Sequence, residues 1–118
     1  MITTHIRASR IGDVVLVEVE GPIRAGDSEL EFLGAMEGIL NEGDRQVVLD
    51  LSSVPHVDST GLGRILQAVC RFQRAGGILK LLRPSSYVRN LLVITKVNAM
   101  VDVVDSLDTA LASCPNAA

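Results

Sequence analysis

The stretch Val47-Val48-Leu49-Asp50-Leu51-Ser52-Ser53-Val54-Pro55-His56-Val57-Asp58-Ser59-Thr60-Gly61-Leu62-Gly63 constrains the fold more than any other. It opens as an unbroken apolar run ending in an aspartate, as a strand buried on both faces does. Pro55 forbids helix in the middle. The stretch closes on an acidic-hydroxyl-glycine turn that feeds an amphipathic pattern. Leu62, Ile65, Leu66, Val69 and Phe72 recur at helical spacing, and Arg64, Gln67, Arg71 and Arg74 mark the opposite face. A buried strand, a loop and a helix start of this kind belong to an α/β protein. Ser59 and Thr60 fall at the helix N-terminus, where backbone N–H groups are free and the dipole favours negative charge. Ser59 is therefore the first candidate for capping, phosphate binding or phosphorylation.

The flanking chain supplies partners for that strand. Thr3 to Ser9 alternates loosely, Arg10-Ile11-Gly12-Asp13 reads as a turn, and Val14 to Glu20 is a β-branched strand. The short separation makes these two an antiparallel hairpin, because a parallel crossover needs a dozen or more residues. Gly21-Pro22 breaks the second strand and Ile23-Arg24-Ala25-Gly26 is a loop. A helix starts at Asp27 or Ser28, where Ser28 and Glu31 match a capping box, and Leu30, Leu33, Met36 (or Glu37) and Leu40 give its inward helical spacing, with Ile39 alongside. It ends at Asn41-Glu42-Gly43. Gln46 to Leu51 is the next strand, and Gly76-Gly77 stops the helix that begins near Ser59. Ile78 to Leu82 and Val101 to Val104 are further strands. Pro84-Ser85-Ser86 opens a third helix with Val88, Leu91, Leu92 and Thr95 inward. Ser106 caps a terminal helix packed through Leu107, Ala110 and Leu111, with Cys114 to Ala118 expected to fray. The expected order is β-β-α-β-α-β-α-β-α, a mixed and mostly parallel sheet covered by helices, in one domain over residues 1–118.

Composition narrows the function classes. With 47% hydrophobic residues but only 3% aromatics, the core is aliphatic, and aromatic stacking platforms for single-stranded nucleic acid are not expected. The net charge of −3 argues against direct nucleic-acid binding. Residues 1–58 carry four Lys/Arg against eleven Asp/Glu, a net −7; residues 59–118 carry seven against three, a net +4. That division reads either as two solvated faces or as a bipolar surface that steers a protein partner. Cys70 and Cys114 form no CxxC or His/Cys cluster, which argues against a metal site and for a reducing compartment. The first residues lack a signal-peptide core, and no apolar run approaches the roughly 20 residues that span a bilayer, so a cytoplasmic location without membrane insertion is expected.

Catalytic motifs fail on their spacing. Gly61-Leu62-Gly63 begins a dinucleotide fingerprint, but Leu66 stands where the third glycine belongs, and Arg64-Ile65 replaces the lysine of a phosphate-binding loop. Gly61 is better read as permitting close approach at the helix start, and Gly63 as permitting close helix-to-sheet packing. Asp50 ends a buried strand, as the acceptor of a phospho-aspartate receiver would. The strand that should supply an acidic metal-binding pair instead ends Glu18-Val19-Glu20-Gly21-Pro22 inside a hairpin, so Asp50 is expected to anchor its loop as a hydrogen-bond acceptor. Ser59 lacks a G-x-S-x-G setting, and His56 reads as a solvated loop histidine. Asp58 is placed to cap through the Gly61 amide and Ser59 through the Leu62 amide, which leaves Ser59 open between cap and function.

The runs Val48-Leu49-Asp50-Leu51-Ser52 and Val57-Asp58-Ser59-Thr60-Gly61-Leu62-Gly63 resemble the signature of STAS domains found in bacterial anti-sigma factor antagonists. Gly21, Gly43, Gly76-Gly77 and Pro84-Ser85-Ser86-Tyr87-Val88-Arg89 extend the resemblance over nearly the whole chain. The resemblance implies a non-enzymatic switch without a cofactor or small-molecule ligand. Ser59 aligns with the serine phosphorylated by a partner that is both an ATP-dependent serine kinase and an anti-sigma factor, and a PP2C-type phosphatase resets it. Thr60 is a possible second acceptor. The implied contact surface comprises Asp58, Ser59, Thr60 and Gly61 with Ile23, Arg24 and Asp27 from the loop after the second strand. That loop departs from the family's Gly-x-Leu-Asp, reading Gly21-Pro22-Ile23-Arg24 here. The same family also supplies subunits of lipid-trafficking ABC transporters and parts of stress-sensing assemblies, the alternative role for this chain. A third reading uses the free amides from Ser59 to Leu62 to bind phosphate or a small ligand.

Overall fold

A computed structural model describes residues 4–114. Strands β1 (His5–Ile11) and β2 (Val14–Glu20) form the expected antiparallel hairpin, followed by α1 (Asp27–Asn41), β3 (Gln46–Ser53), α2 (Ser59–Arg74), β4 (Ile78–Leu82), α3 (Ser86–Ile94), β5 (Asp102–Val104) and α4 (Leu107–Ala112). The sheet runs β1-β2-β3-β4-β5 in space, with every pairing after the hairpin parallel. The predicted order and the mixed, mostly parallel sheet are thus both present.

Strand alternation divides the core in two. Val15, Val17 and Val19 of β2, Val47, Leu49 and Leu51 of β3, and Leu79 and Leu81 of β4 meet α1, α2 and α3 through Phe32, Met36, Ile65, Val69, Phe72, Val88 and Leu92. The other face carries Val14, Val48, Leu82 and Val104 and is covered by α4 through Ala110, with Cys114 beside it. The parallel strands all end at one edge, where the loops at 21–26, 54–58 and 83–85 gather.

Several local expectations are corrected. The hairpin turns at Gly12-Asp13, so β1 runs on to Ile11; Thr3 lies outside the described residues. β3 continues to Ser53. Ser28 does not cap α1, whose N-cap is Gly26; its hydroxyl turns back onto Arg24. On α1 the buried side chains are Glu29, Phe32 and Met36, while Leu30 is 56% exposed. The capping box and Leu30 both failed because the N-cap falls at Gly26, two residues before Ser28, and the helix turns Glu29 inward to meet an arginine. Thr95 does not pack inward: it is exposed and bonds back to Leu91 O. Gly63 is exposed, with open space where a Cβ would stand, so it serves no helix-to-sheet packing. Cys114 does not fray: it is buried and its N–H donates to Leu111 O. Residues 115–118 lie outside the described residues.

Candidate functional site

The site grows from one carboxylate at the start of α2. Asp58 is the N-cap in extended conformation, and its Oδ1 accepts the Gly61 N–H at 2.7 Å, as the sequence predicts. Its second oxygen does what no local reading could show: Oδ2 accepts the N–H of Ala25 at 2.9 Å, thirty-three residues away. The Ala25 N–H first and the Gly61 N–H second hold this carboxyl below the usual carboxylate range, so it is an anion at neutral pH.

The loop after β2 is stitched to the segment before α2 along its length. Ile23 pairs in parallel with Val57; its N–H donates to His56 O at 3.1 Å, and its carbonyl accepts from the Asp58 N–H at 3.4 Å. A Cβ on Gly61 would stand 2.1 Å from Ile23 O, so only glycine lets the loop lie this close. The expected close approach at Gly61 is therefore present.

Ile23, grouped by resemblance with the contact residues, is fully buried and contributes its backbone instead of a surface. Arg24, Asp27, Ser59 and Thr60 are exposed on the rim, and Gly61 is buried beneath it. The expected Ser59 cap does not form: Leu62 N–H donates to the Asp58 carbonyl at 2.9 Å. With Asp58 doing the capping, the Ser59 hydroxyl has no hydrogen-bond partner among the described residues.

The surrounding residues are structural. Asp50 accepts the Ser52 N–H at 2.9 Å and faces Arg83 at 3.4 Å, the loop-anchoring role expected of it. His56 is not a solvated loop residue. It is half-buried, stacks on Tyr87 of α3 at 5.1 Å between centroids, and has a buried Nδ1 without a partner among the described residues. The arginine stripe of α2 is engaged by α1: Arg64 Nε donates to Glu29 at 2.5 Å, and Arg71 pairs with Glu37. Arg74 at the helix end is exposed. Two contributors escaped the sequence, the Ala25 amide and Tyr87. Each acts through a tertiary contact with no local motif.

The STAS domain model matches residues 5–110, and the chain belongs to the STAS family. It is 28% identical over 101 residues to a Thermotoga neapolitana protein assigned as an anti-sigma factor antagonist, covering 86% of this chain and 89% of that one. A crystal structure of a Thermotoga maritima protein of the same assignment superposes with a TM-score of 0.84 at 24% identity, covering 91% of this chain and 92% of the other. The Bacillus anti-sigma factor antagonist SpoIIAA shares the fold in both its states. Its unphosphorylated form gives a TM-score of 0.68 at 15% identity (89% and 92% covered), and its phosphorylated form 0.71 at 14% (92% and 97% covered). Among the described residues no helix is long and apolar enough to cross a membrane.

Proposed function

We propose that this chain is an anti-sigma factor antagonist switched by phosphorylation at Ser59. Unphosphorylated, the rim of Arg24, Asp27, Asp58, Ser59 and Thr60 binds an anti-sigma factor that is also a serine kinase, freeing its sigma factor. The kinase then transfers the γ-phosphoryl group of ATP to Ser59: the new bond is Oγ–P, ADP leaves, and the hydroxyl proton passes to a base on the kinase. A PP2C-type phosphatase returns the chain to its binding state.

The observation that carries this reading is the exposed, unengaged Ser59 hydroxyl on a backbone fixed from both sides. Asp58 performs the capping, so Ser59 is free to be modified without cost to the helix. A phosphate there adds about −1.5 to −2 charge at a helix N-terminus, where the dipole favours it. A partner surface closing over the same spot would desolvate that charge at about 2–5 kcal/mol. That is roughly 30-fold to several thousand-fold in affinity.

The test incubates the full chain with ATP and each candidate kinase from its own genome, then locates phosphate by mass spectrometry. Phosphate on Ser59, abolished in Ser59→Ala, is the expected outcome. Phosphate confined to Thr60 moves the switch by one residue, and no modification by any candidate removes it.

A further inference from the structure

The switch reading places Arg24 on the binding rim and gives its guanidinium no part in the phosphorylated state. Arg24 sits in the loop whose neighbours are fastened to α2: Ile23 through Val57, His56 and Asp58, and Ala25 through the Asp58 carboxylate. Arg24's own backbone is fixed by Ser28, whose hydroxyl accepts the Arg24 N–H at 2.8 Å and donates to the Arg24 carbonyl at 2.9 Å. Its carbonyl also accepts the Glu29 N–H at 3.1 Å. Yet its side chain is exposed and forms no ion pair among the described residues. The loop thus holds the base of one arginine rigidly and leaves its guanidinium uncommitted.

The charges facing this spot decide what that guanidinium would meet. The segment 54–60 contributes the Asp58 anion and the half-buried His56, the start of α1 contributes Asp27, and Arg64, one turn into α2, is already paired with Glu29. Arg24 is therefore the uncommitted cation of the two segments that Asp58 clips together. A phosphate on Ser59 stands next to the Asp58 carboxylate, a like charge that opposes its second ionisation. Arg24 directly precedes Ala25, whose N–H donates to that carboxylate at 2.9 Å, and the planar fork of an arginine matches phosphate oxygens.

We infer that Arg24 is a built-in receptor for the phosphorylated state, closing on the Ser59 phosphate and tying the loop after β2 to the start of α2. The inference rests on Ser59 being the modified residue. Its consequence is that modification changes the rim twice. It adds a phosphate, and it withdraws a cation that, among the described residues of the unmodified rim, is free to meet a partner. An interface that uses Arg24 against a carboxylate then loses that contact in the same event.

The test installs phosphoserine at position 59 of the full chain during translation, so no kinase is needed, and follows the second phosphate ionisation by phosphorus NMR. Relative to Arg24→Gln, the wild-type chain should titrate lower by about 0.2–0.7 unit, the range an exposed charge pair supports. Arg24→Lys should recover part of the shift. The Arg24 Nε–H resonance should move downfield on phosphorylation. Asp58 and His56 are present in every variant, so their influence cancels. Identical titration curves for wild type and Arg24→Gln, or an unmoved Nε–H, would overturn the receptor. The kinase experiment above fails or succeeds independently: a clamp without a kinase removes the switch alone, and a kinase without a clamp removes only this inference.

Discussion

Gly61 and Gly63 sit two residues apart on one helix and have opposite reasons to be glycine. A methyl group at Gly61 would stand 2.1 Å from a backbone carbonyl, which cannot give way as a flexible side chain would. Gly61→Ala should therefore destabilise the fold by about 2 kcal/mol or more, with the loop after β2 displaced. Gly63→Ala meets nothing and gains helix propensity, so it should stabilise by up to about 1 kcal/mol. Urea unfolding of the two variants checks the pair; equal effects would mean the loop is not pressed against the helix. At this scale the sequence was legible where the contact is local. Asp58 capping Gly61 spans three residues, and a stretch of sequence contains both partners. The Ala25 amide and the Tyr87 ring could not be read, since nothing in a helix-start motif says which distant segment will lie beside it. His56 was misread for the same reason, because polarity marked it as solvated while the packing of α3 half-buried it.

Helical periodicity located every helix, yet it assigned faces with only partial success. It says which side chains share a face and leaves open which neighbour covers that face. The arginine stripe of α2 was legible only as the face opposite the apolar one; α1 offers Glu29 and Glu37 to it. That pairing also explains why Glu29 is buried while Leu30, expected inward, is out in solvent. The Glu29 side chain is 11% exposed and that of Arg64 31%, so water screens this pair less than a fully exposed one. A double-mutant cycle on Glu29→Gln and Arg64→Gln should give a coupling of about 1–2 kcal/mol, between exposed and fully buried pairs. The same cycle on Arg7 and Glu18, 3.8 Å apart with side chains 75% and 41% exposed, should give a few tenths at most. Coupling at Arg64 no larger than at Arg7 would show that the α1–α2 contact rests on apolar packing alone.

Across the molecule, the acidic first half and the basic second half meet through Glu29–Arg64, Glu37–Arg71 and Asp50–Arg83, so part of the charge asymmetry in the sequence serves internal pairing. The mixed, mostly parallel character of the sheet was legible because short connections and one hairpin leave few topologies. The lopsided cover, three helices on one sheet face and the short α4 on the other, was not, because a strand buried on both faces does not say by what. This architecture bears on how the site can signal. The rim stands on the carboxyl ends of β2 and β3, held by the Ile23–Val57 bridge and the Asp58 clip, with the apolar core directly beneath. A phosphate on Ser59 meets a favourable helix dipole worth about 0.3–1 kcal/mol and a repulsive Asp58 of opposite effect, so the two largely cancel. Phosphorylation should then leave Tm within about 4 °C, the shift a change of about 1 kcal/mol produces in a domain of this size. Backbone amide shifts should move in residues 21–28 and 56–64 and stay fixed in β4, β5 and α4. On that outcome a partner recognises the charge on the rim itself, the sheet and core being the same in both states. Amide shifts spreading into β4 and α4, or a Tm drop well beyond 4 °C, would mean that the phosphate acts by loosening the fold.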